Sequence, residues 1–362
     1  MTTVAQTDLD RLITELAPEF ATMAGKRLLI TGGAGFLGYY LVQAVVAWNR
    51  AHEKVSRIAL TVWDNGARGL PGWLTSLAGS PEYRFEPVDL IQPLPEGMPP
   101  WDYVIHAAGI ASPRVYRQFP LETIDANING LRALLDAARR QADSGHPMAG
   151  FLFFSSSEIY GDPTPEAIPT PETYRGLVSC TGPRACYDES KRFGETLCVV
   201  YAQKYGVPTR MARPFNNYGP GLRIDDGRVI PDFARDILAG RDIVMHSDGS
   251  PTRTFCYSAD AVSGYFKVLV RGRAGEPYNI GVEEPEISMR QLAEMLSELG
   301  RDLVGYRGRL VLQPSPEQEY LTDNPQRRCP VITKARSEVG YAPRVDLAEG
   351  LRRSMLWYAD LA

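Results

Sequence analysis

The stretch ITGGAGFLGYYL, residues 30–41, limits what this chain can fold into more than any other. An apolar run, RLLIT, leads into Gly32, Gly35 and Gly38, and GYYLVQAVVAW follows at once. Glycine at such positions leaves room for a tight strand-to-helix turn and for a close backbone approach that a side chain would block. The amides of the helix N-terminus then face an anion such as a pyrophosphate. A glycine trio alone is a weak signal, but between a strand and a helix it has the context of a dinucleotide site. Gly32, Gly35, Phe36, Leu37 and Gly38 are therefore expected at the phosphate end of a bound dinucleotide.

At the end of the next strand, LTVWDNG supplies Asp64 and Asn65. A carboxylate there accepts hydrogen bonds from both adenosine ribose hydroxyls and repels a ribose phosphate, so NAD is expected rather than NADP. The interval from Gly38 is a few residues longer than the usual spacing of about 20. PVDL places Asp89 and Leu90 beside the adenine, and HAAG supplies Ala107, Ala108 and Gly109, small residues that let the backbone approach the cofactor.

Beyond Lys26, strand-like runs (RLLITGG, RIALTVWDN, YRFEPVDL, DYVIHAAG, GFLFFSSSE) alternate with helical ones (GYYLVQAVVAW, INGLRALLDAARRQ). Short buried strands separated by helices imply an α/β fold. The expected architecture is a doubly wound parallel Rossmann sheet with a smaller C-terminal α/β substrate domain. The boundaries expected are an N-terminal helical extension over 1–25, the NAD-binding domain over 26–212 with a return segment near 258–282, and the substrate-binding domain over 213–362. Residues 161–181, rich in Pro, Thr, Glu and Gly, read as a long loop able to cover a pocket.

A net charge of −4 argues against a protein that coats nucleic acid. Five cysteines without paired spacing indicate neither a disulfide framework nor a zinc site, and four scattered histidines offer no ligand set, so no metal is expected. The N-terminus carries acids and no long apolar run, so no membrane segment is expected and a cytoplasmic location fits.

CYDESKR puts Tyr187 and Lys191 four residues apart, on one face of a helix. A phenol with its usual pKa near 10 is a poor base at neutral pH, and a neighbouring ammonium together with an oxidised nicotinamide favours the phenolate. Lys191 is expected to supply the first of these charges. On its own Y-x-x-x-K is common on solvated helices. Here it lies downstream of the glycine turn and of FLFFSSSEIYG, a strand whose tip carries Ser156. That hydroxyl can bond the same substrate hydroxyl as Tyr187, while Ser155 and Ser157 are expected to satisfy local backbone groups. Glu158 reads either as a chemical group or as a solvated carboxylate at a strand end.

With these residues in place, the chain resembles the extended short-chain dehydrogenase/reductase family, the sugar-nucleotide epimerases, dehydratases and decarboxylases, from about Lys26 to the C-terminus. SSSEIYGDP, TGPRACYDESKRFGET, RPFNNYGPG, DDGRVIPDF and GSPTRTFCYSADAV look most like the UDP-glucuronate decarboxylase branch. The resemblance implies catalytic roles for Ser156, Glu158, Tyr187 and Lys191. It also implies substrate contacts from Ser112, Tyr116, Glu158, Asn216, Arg228, Arg253 and Arg328. Of these, Arg253 falls near the sugar carboxylate or diphosphate, and Asn216 and Arg328 at the diphosphate and uridine ribose. The implied partner is a small nucleotide sugar, and the implied assembly a homodimer built on TIDANINGLRALLDAARR and YDESKRFGETLCVVYAQKY.

Ser157 stands where the related 4,6-dehydratases carry an aspartate, so the serine and glutamate pair points to decarboxylation. Uronate 4-epimerisation and 4,6-dehydration are the alternatives, with a non-catalytic nucleotide-binding scaffold as the alternative outside enzymes. Beside a substrate carboxylate, Glu158 is expected either to have a raised pKa or to repel the carboxylate and assist its loss. Gly221 and Val331 depart from the branch pattern, which has arginine and aspartate there. Arg223 lies two residues on, where it can restore the missing charge.

Overall fold

The computed structural model describes residues 3–315 and 322–361. Seven parallel strands form its central sheet: β1 (Arg27–Thr31), β2 (Ala59–Asp64), β3 (Tyr83–Pro87), β4 (Tyr103–His106), β5 (Gly150–Phe154), β6 (Thr209–Pro214) and β7 (Pro277–Ile280). Their order is β7-β6-β5-β4-β1-β2-β3, with Leu28 registered against Leu60 on one side and Tyr103 on the other. The chain direction across the sheet reverses between β1 and β4. In open α/β sheets ligands bind outside the carboxyl ends of the strands at such a point.

The strands read as nearly continuous apolar runs because helices cover both faces. All five residues of β5 are buried, and so are Leu28, Leu29 and Ile30 of β1. A polar cross-strand contact at the centre joins Thr31 Oγ1 and His106 Nδ1 at 2.8 Å. Burial, with Lys191 adding to it, pushes His106 down to about 3, so its ring is a neutral structural group.

The N-terminal extension forms α1 (Thr3–Glu15) and α2 (Ala17–Thr22). It is part of the main core: Ala5, Leu12, Leu16 and Phe20 are fully buried against α3 (Gly38–Ala51) and α4 (Ser258–Arg271). Asp8, fully buried, accepts hydrogen bonds from Tyr40 (2.5 Å), Tyr257 (2.5 Å) and Arg353 (2.6 Å). One carboxylate thus joins α1, the helix after the glycine turn, and the C-terminal helix α5 (Leu347–Ala359).

The segment 258–280 returns to the sheet as α4 and β7, the latter pairing with β6. Beyond it a small sheet pairs Thr252–Arg253 with Ile287–Ser288 and with Arg327–Arg328, setting Arg253 in register with Arg328. The 161–181 loop is fastened to this sheet: Thr170 bonds the backbone of Cys329 and Val331, and Asp162 Oδ1 accepts from the Gln326 amide at 3.1 Å.

Asp8→Ala would leave the Tyr40 and Tyr257 phenols buried without their shared acceptor and Arg353 with Glu349 as its remaining carboxylate, a loss of about 3–5 kcal/mol. Urea denaturation should show it as a lower midpoint with an unchanged slope. A shift of a few tenths of a kcal/mol would mean that the extension is held by apolar packing alone.

Candidate active site

The glycine turn closes on backbone. Gly32 has φ +73, and a Cβ there would lie 2.5 Å from the Ala108 amide nitrogen. A Cβ on Gly38 would lie 2.2 Å from the Gly33 carbonyl oxygen. Both positions exclude a side chain because the ends of β1 and β4 and the start of α3 meet there. Gly35 is less tightly enclosed, at 3.1 Å from the Gly32 oxygen, whereas Gly33, which the motif spacing leaves out, would strike Val62 at 2.4 Å. Leu37 adopts helical angles immediately before α3.

Asp64, at the end of β2, accepts from the Ala34 amide (3.0 Å) and the Gly66 amide (2.9 Å). Its carboxylate is thereby held over the turn. Asn65 and Asp89 accept from the amides of Ala67 and Ile91 two residues on, so both shape local turns, and Leu90 is buried against Gly130. Ala107 continues the β1–β4 ladder through the Thr31 carbonyl. A Cβ on Gly109 would lie 2.6 Å from Asn127 Oδ1 and 3.5 Å from Lys191 Nζ. A bare cradle, a carboxylate at the strand end, and a buried amide oxygen on Asn127 without a hydrogen-bond partner together fit a dinucleotide such as NAD.

The catalytic candidates meet beyond the tip of β5. Ser156 accepts from the Glu158 amide (3.1 Å) and caps the short turn Ser157–Tyr160, so it does the local backbone work expected of its neighbours. The Ser155 hydroxyl has no hydrogen-bond partner. Tyr187 and Lys191 lie in α6 (Ala185–Tyr205).

Burial pushes the Tyr187 phenol up to about 12, and the groups acting against burial are the Ser156 hydroxyl, by hydrogen bonding, and Arg228. Lys191 donates to the Phe154 carbonyl at 2.8 Å, with Nζ 5.8 Å from the Tyr187 ring centroid. Burial pulls Lys191 down to about 7. Lys191 thus gives Tyr187 less charge than expected, because its ammonium is held on a carbonyl and is itself desolvated. Tyr116 stacks on Tyr187, with centroids 5.1 Å apart and planes at 8°, and its buried hydroxyl has no hydrogen-bond partner.

Glu158 is not a solvated strand-end carboxylate. One oxygen accepts from Arg328 and the other from Arg184. Burial pushes its pKa up, but Arg184 and Arg328, aided by Arg253, overcome that and hold it well below the usual range. That direction is opposite to the raised pKa that was one of the two expectations. Asp188 lies 3.7 Å from Arg184 and is pushed the other way, by burial and then by the Glu158 charge.

The substrate candidates divide. Arg328 reaches the cluster. Arg253 is buried with both terminal nitrogens on the carbonyls of Thr252, Pro325 and Gln326 and on Asn324, so its fork anchors the 324–326 segment. Burial and Arg328 press it down to about 9. Asn216, at φ +40, donates to the Thr254 carbonyl. Ser112 donates to the Asp226 carbonyl, and Arg228 pairs with Asp226 at 3.3 Å with its guanidinium 5.8 Å from the Phe36 ring centroid.

Gly221 has φ +92, and a Cβ there would meet Tyr39 at 2.5 Å, so the arginine of the branch pattern has no room. Arg223 does not replace it, because its fork is bound to Asp225 at 2.9 Å. Arg184, Asp188 and Asn127 were not among the sequence candidates. The i,i+4 pair Arg184 and Asp188 brackets Tyr187 in the sequence, which was the available signal.

A family model described as NAD dependent epimerase/dehydratase family matches residues 28–281. The chain is 38% identical over 328 residues to UDP-glucuronic acid decarboxylase 5 of Arabidopsis thaliana, covering 90% of this chain and 87% of that protein. It is 34% identical over 354 residues to UDP-glucuronic acid decarboxylase 1 of Xenopus tropicalis, covering 97% and 77%. Among solved structures, DesIV, the dTDP-glucose 4,6-dehydratase of Streptomyces venezuelae crystallised with NAD and TYD, is similar. It superposes with a TM-score of 0.76 at 26% identity, covering 92% of this chain and 97% of that one.

Lys191 falls from 10.5 to about 7 on folding, so between those values the folded chain binds fewer protons than the unfolded one. Stability should rise with pH across that window, and below it the buried ammonium exerts its full penalty. Urea midpoints of wild type and Lys191→Met should therefore converge as pH is raised from about 7 to about 10. A constant difference would show that Lys191 keeps its proton throughout.

Proposed function

The chain belongs to the NAD dependent epimerase/dehydratase family, and on that premise we propose that it is a lyase that decarboxylates UDP-glucuronate. Its product is UDP-xylose, or the 4-keto-pentose if the intermediate leaves before reduction. The observation that carries this reading is the charge around Glu158. Arg184, Arg328 and Arg253 face one firmly ionised carboxylate, with Asp188 pushed toward its neutral form. That surplus of positive charge beside Ser156 and Tyr187 suits a substrate bearing both a carboxylate and a diphosphate.

In this reading Gly32, Gly35, Phe36, Leu37 and Gly38 hold the cofactor pyrophosphate, and Asp64 with Asn65 the adenosine ribose. Asp89, Leu90, Ala107 and Ala108 line the remainder, with Tyr187 and Lys191 at the nicotinamide end. NAD, when bound, supplies the hydride acceptor and later the donor for sugar C4. As the phenolate, the form favoured beside an oxidised nicotinamide, Tyr187 takes the proton of the C4 hydroxyl while Ser156 fixes the direction of that oxygen. The resulting ketone is β to the C5 carboxylate and accepts the electron pair released as carbon dioxide leaves. Ser156 and Tyr187 then face the enolate oxygen with hydrogen-bond donors. Glu158, kept ionised, is not the proton donor at C5, so water supplies that proton, and Tyr187 returns its own to the C4 oxygen as C4 is reduced; the Glu158 charge opposes a neighbouring carboxylate until that carboxylate departs as a neutral molecule. Ser112, Tyr116, Asn216, Arg228, Arg253 and Arg328 bound the nucleotide-sugar cleft, with Arg253 and Asn216 acting by holding backbone.

Mass analysis after incubation with UDP-glucuronate and NAD should show a sugar nucleotide lighter by one carbon dioxide. Unchanged mass would indicate epimerisation, loss of water dehydration, and no turnover a binding scaffold. Tyr187→Phe should lower kcat by about 10²–10⁴-fold.

The assembly proposed is a homodimer. Phe193 and Val200, seven residues apart and so on one face of α6, are 48% and 43% exposed, and Leu121 nearby in the fold's helical layer is 70% exposed. Phe193→Asp should halve the mass seen by light scattering, and a wild type that is already monomeric would refute the dimer. Five free cysteines accord with a cytoplasmic enzyme, and among the described residues no helix is long and apolar enough to cross a membrane.

A further inference from the structure

We propose that Arg184, braced by Asp188, is a positioning residue that fixes the Glu158 carboxylate relative to Tyr187; this rests on the decarboxylase reading above. Glu158 is gripped at both oxygens, but by groups of different origin. Arg328 comes from the small sheet and is 170 residues away in the chain. Arg184 directly precedes α6 and is three residues from Tyr187. The bond from Arg184 to Glu158 therefore ties the tip of β5 to the same helical turn that carries the phenol. Without it, Glu158 would follow the small sheet, and its distance from Tyr187 would no longer be set within the Rossmann unit.

Arg184 is itself held. Its side chain is 8% exposed, and its Nε lies 3.7 Å from Asp188 Oδ2, one helical turn on. Buried charges in such a position need partners, and a guanidinium between two carboxylates gives each charge an opposite neighbour. Arg184 Nε and Asp188 Oδ1 are both buried without a hydrogen-bond partner, so the brace is electrostatic and leaves polar capacity at the cleft. The groups facing Glu158 from the elements around it are Arg184 and Asp188 of the α6 start, Arg328 and Arg253 of the small sheet, and the Tyr116 and Tyr187 phenols. Take away Arg184, and Glu158 and Asp188 become like charges in one buried site with only Arg328 in direct contact. One of them then takes up a proton more readily.

The test combines Arg184→Gln, Arg184→Lys, Glu158→Gln and the double variant Arg184→Gln/Glu158→Gln. Arg184→Gln should lower kcat by about 10-fold or more with little change in KM, the pattern of an interaction made in the transition state. The double variant should be no slower than Glu158→Gln alone, because the two residues act as one unit. The Glu158 carboxyl, followed by 13C NMR and assigned through its loss in Glu158→Gln, should titrate at higher pH in Arg184→Gln and part-way back in Arg184→Lys. Multiplying kcat losses, or an unmoved Glu158 titration, overturns the proposal. If Arg184→Gln fails to fold, the lysine variant decides: intermediate kcat and titration support positioning, and wild-type values for both overturn it. The titration needs no substrate, so a wild type that releases no carbon dioxide would sink the decarboxylase reading and leave the Arg184–Glu158 link measurable.

Discussion

Everything in the cleft hangs on a place where no side chain fits. The carbonyl and amide groups of Gly32, Gly33, Gly38 and Ala108 pack so closely that a single Cβ would overlap backbone atoms. That contact brings the ends of β1 and β4 together with the start of α3 at the point where strand order reverses. Asp64 strengthens the turn by accepting from Ala34, and His106 and Thr31 join the two strands just beneath it. The position of Lys191 depends on the same framework, since its ammonium lies under Gly109 and against the Phe154 carbonyl at the end of β5.

Around this frame the protein buries charge in an unusual concentration, and burial rather than proximity sets the protonation of most groups. Tyr187, Lys191 and His106 all move toward their neutral forms because water is excluded from them. Glu158 moves the opposite way, since two guanidiniums in direct contact outweigh its desolvation. A cleft with neutral proton-transfer groups beside a fixed ion cluster separates two tasks. In the proposed reaction the phenol and serine would exchange protons with the sugar, while the arginines and Glu158 would set the field around the substrate carboxylate.

The scaffold behind the cleft is held by a second buried cluster. Asp8 joins the first helix, the helix after the glycine turn and the last helix, while Glu15 pairs with Lys267 at 2.7 Å and Arg11 with Asp260 at 2.5 Å. These pairs connect residues some 250 or more apart in sequence. The helix after the glycine turn is thereby braced through Tyr40 and Asp8.

The parallel sheet, the turn and the Tyr187–Lys191 pair were legible in the chain because each depends on periods and spacings within about one helical turn or strand. Arg184 and Asp188 share that helical spacing, but nothing local marks them as partners of Glu158. What the fold alone decided is which polar groups are taken: Arg253 spends its fork on Pro325 and Gln326, Arg223 on Asp225, and Asn65 and Asp89 on their own turns. The charge state of Glu158 was likewise settled by Arg184 together with Arg328, the latter from 170 residues downstream. Sequence determined the backbone path and the chemical types at its turns; only tertiary packing determined the water left around each charge and the partner that replaced it, because desolvation and ion pairing depend on distances between segments that share no local pattern.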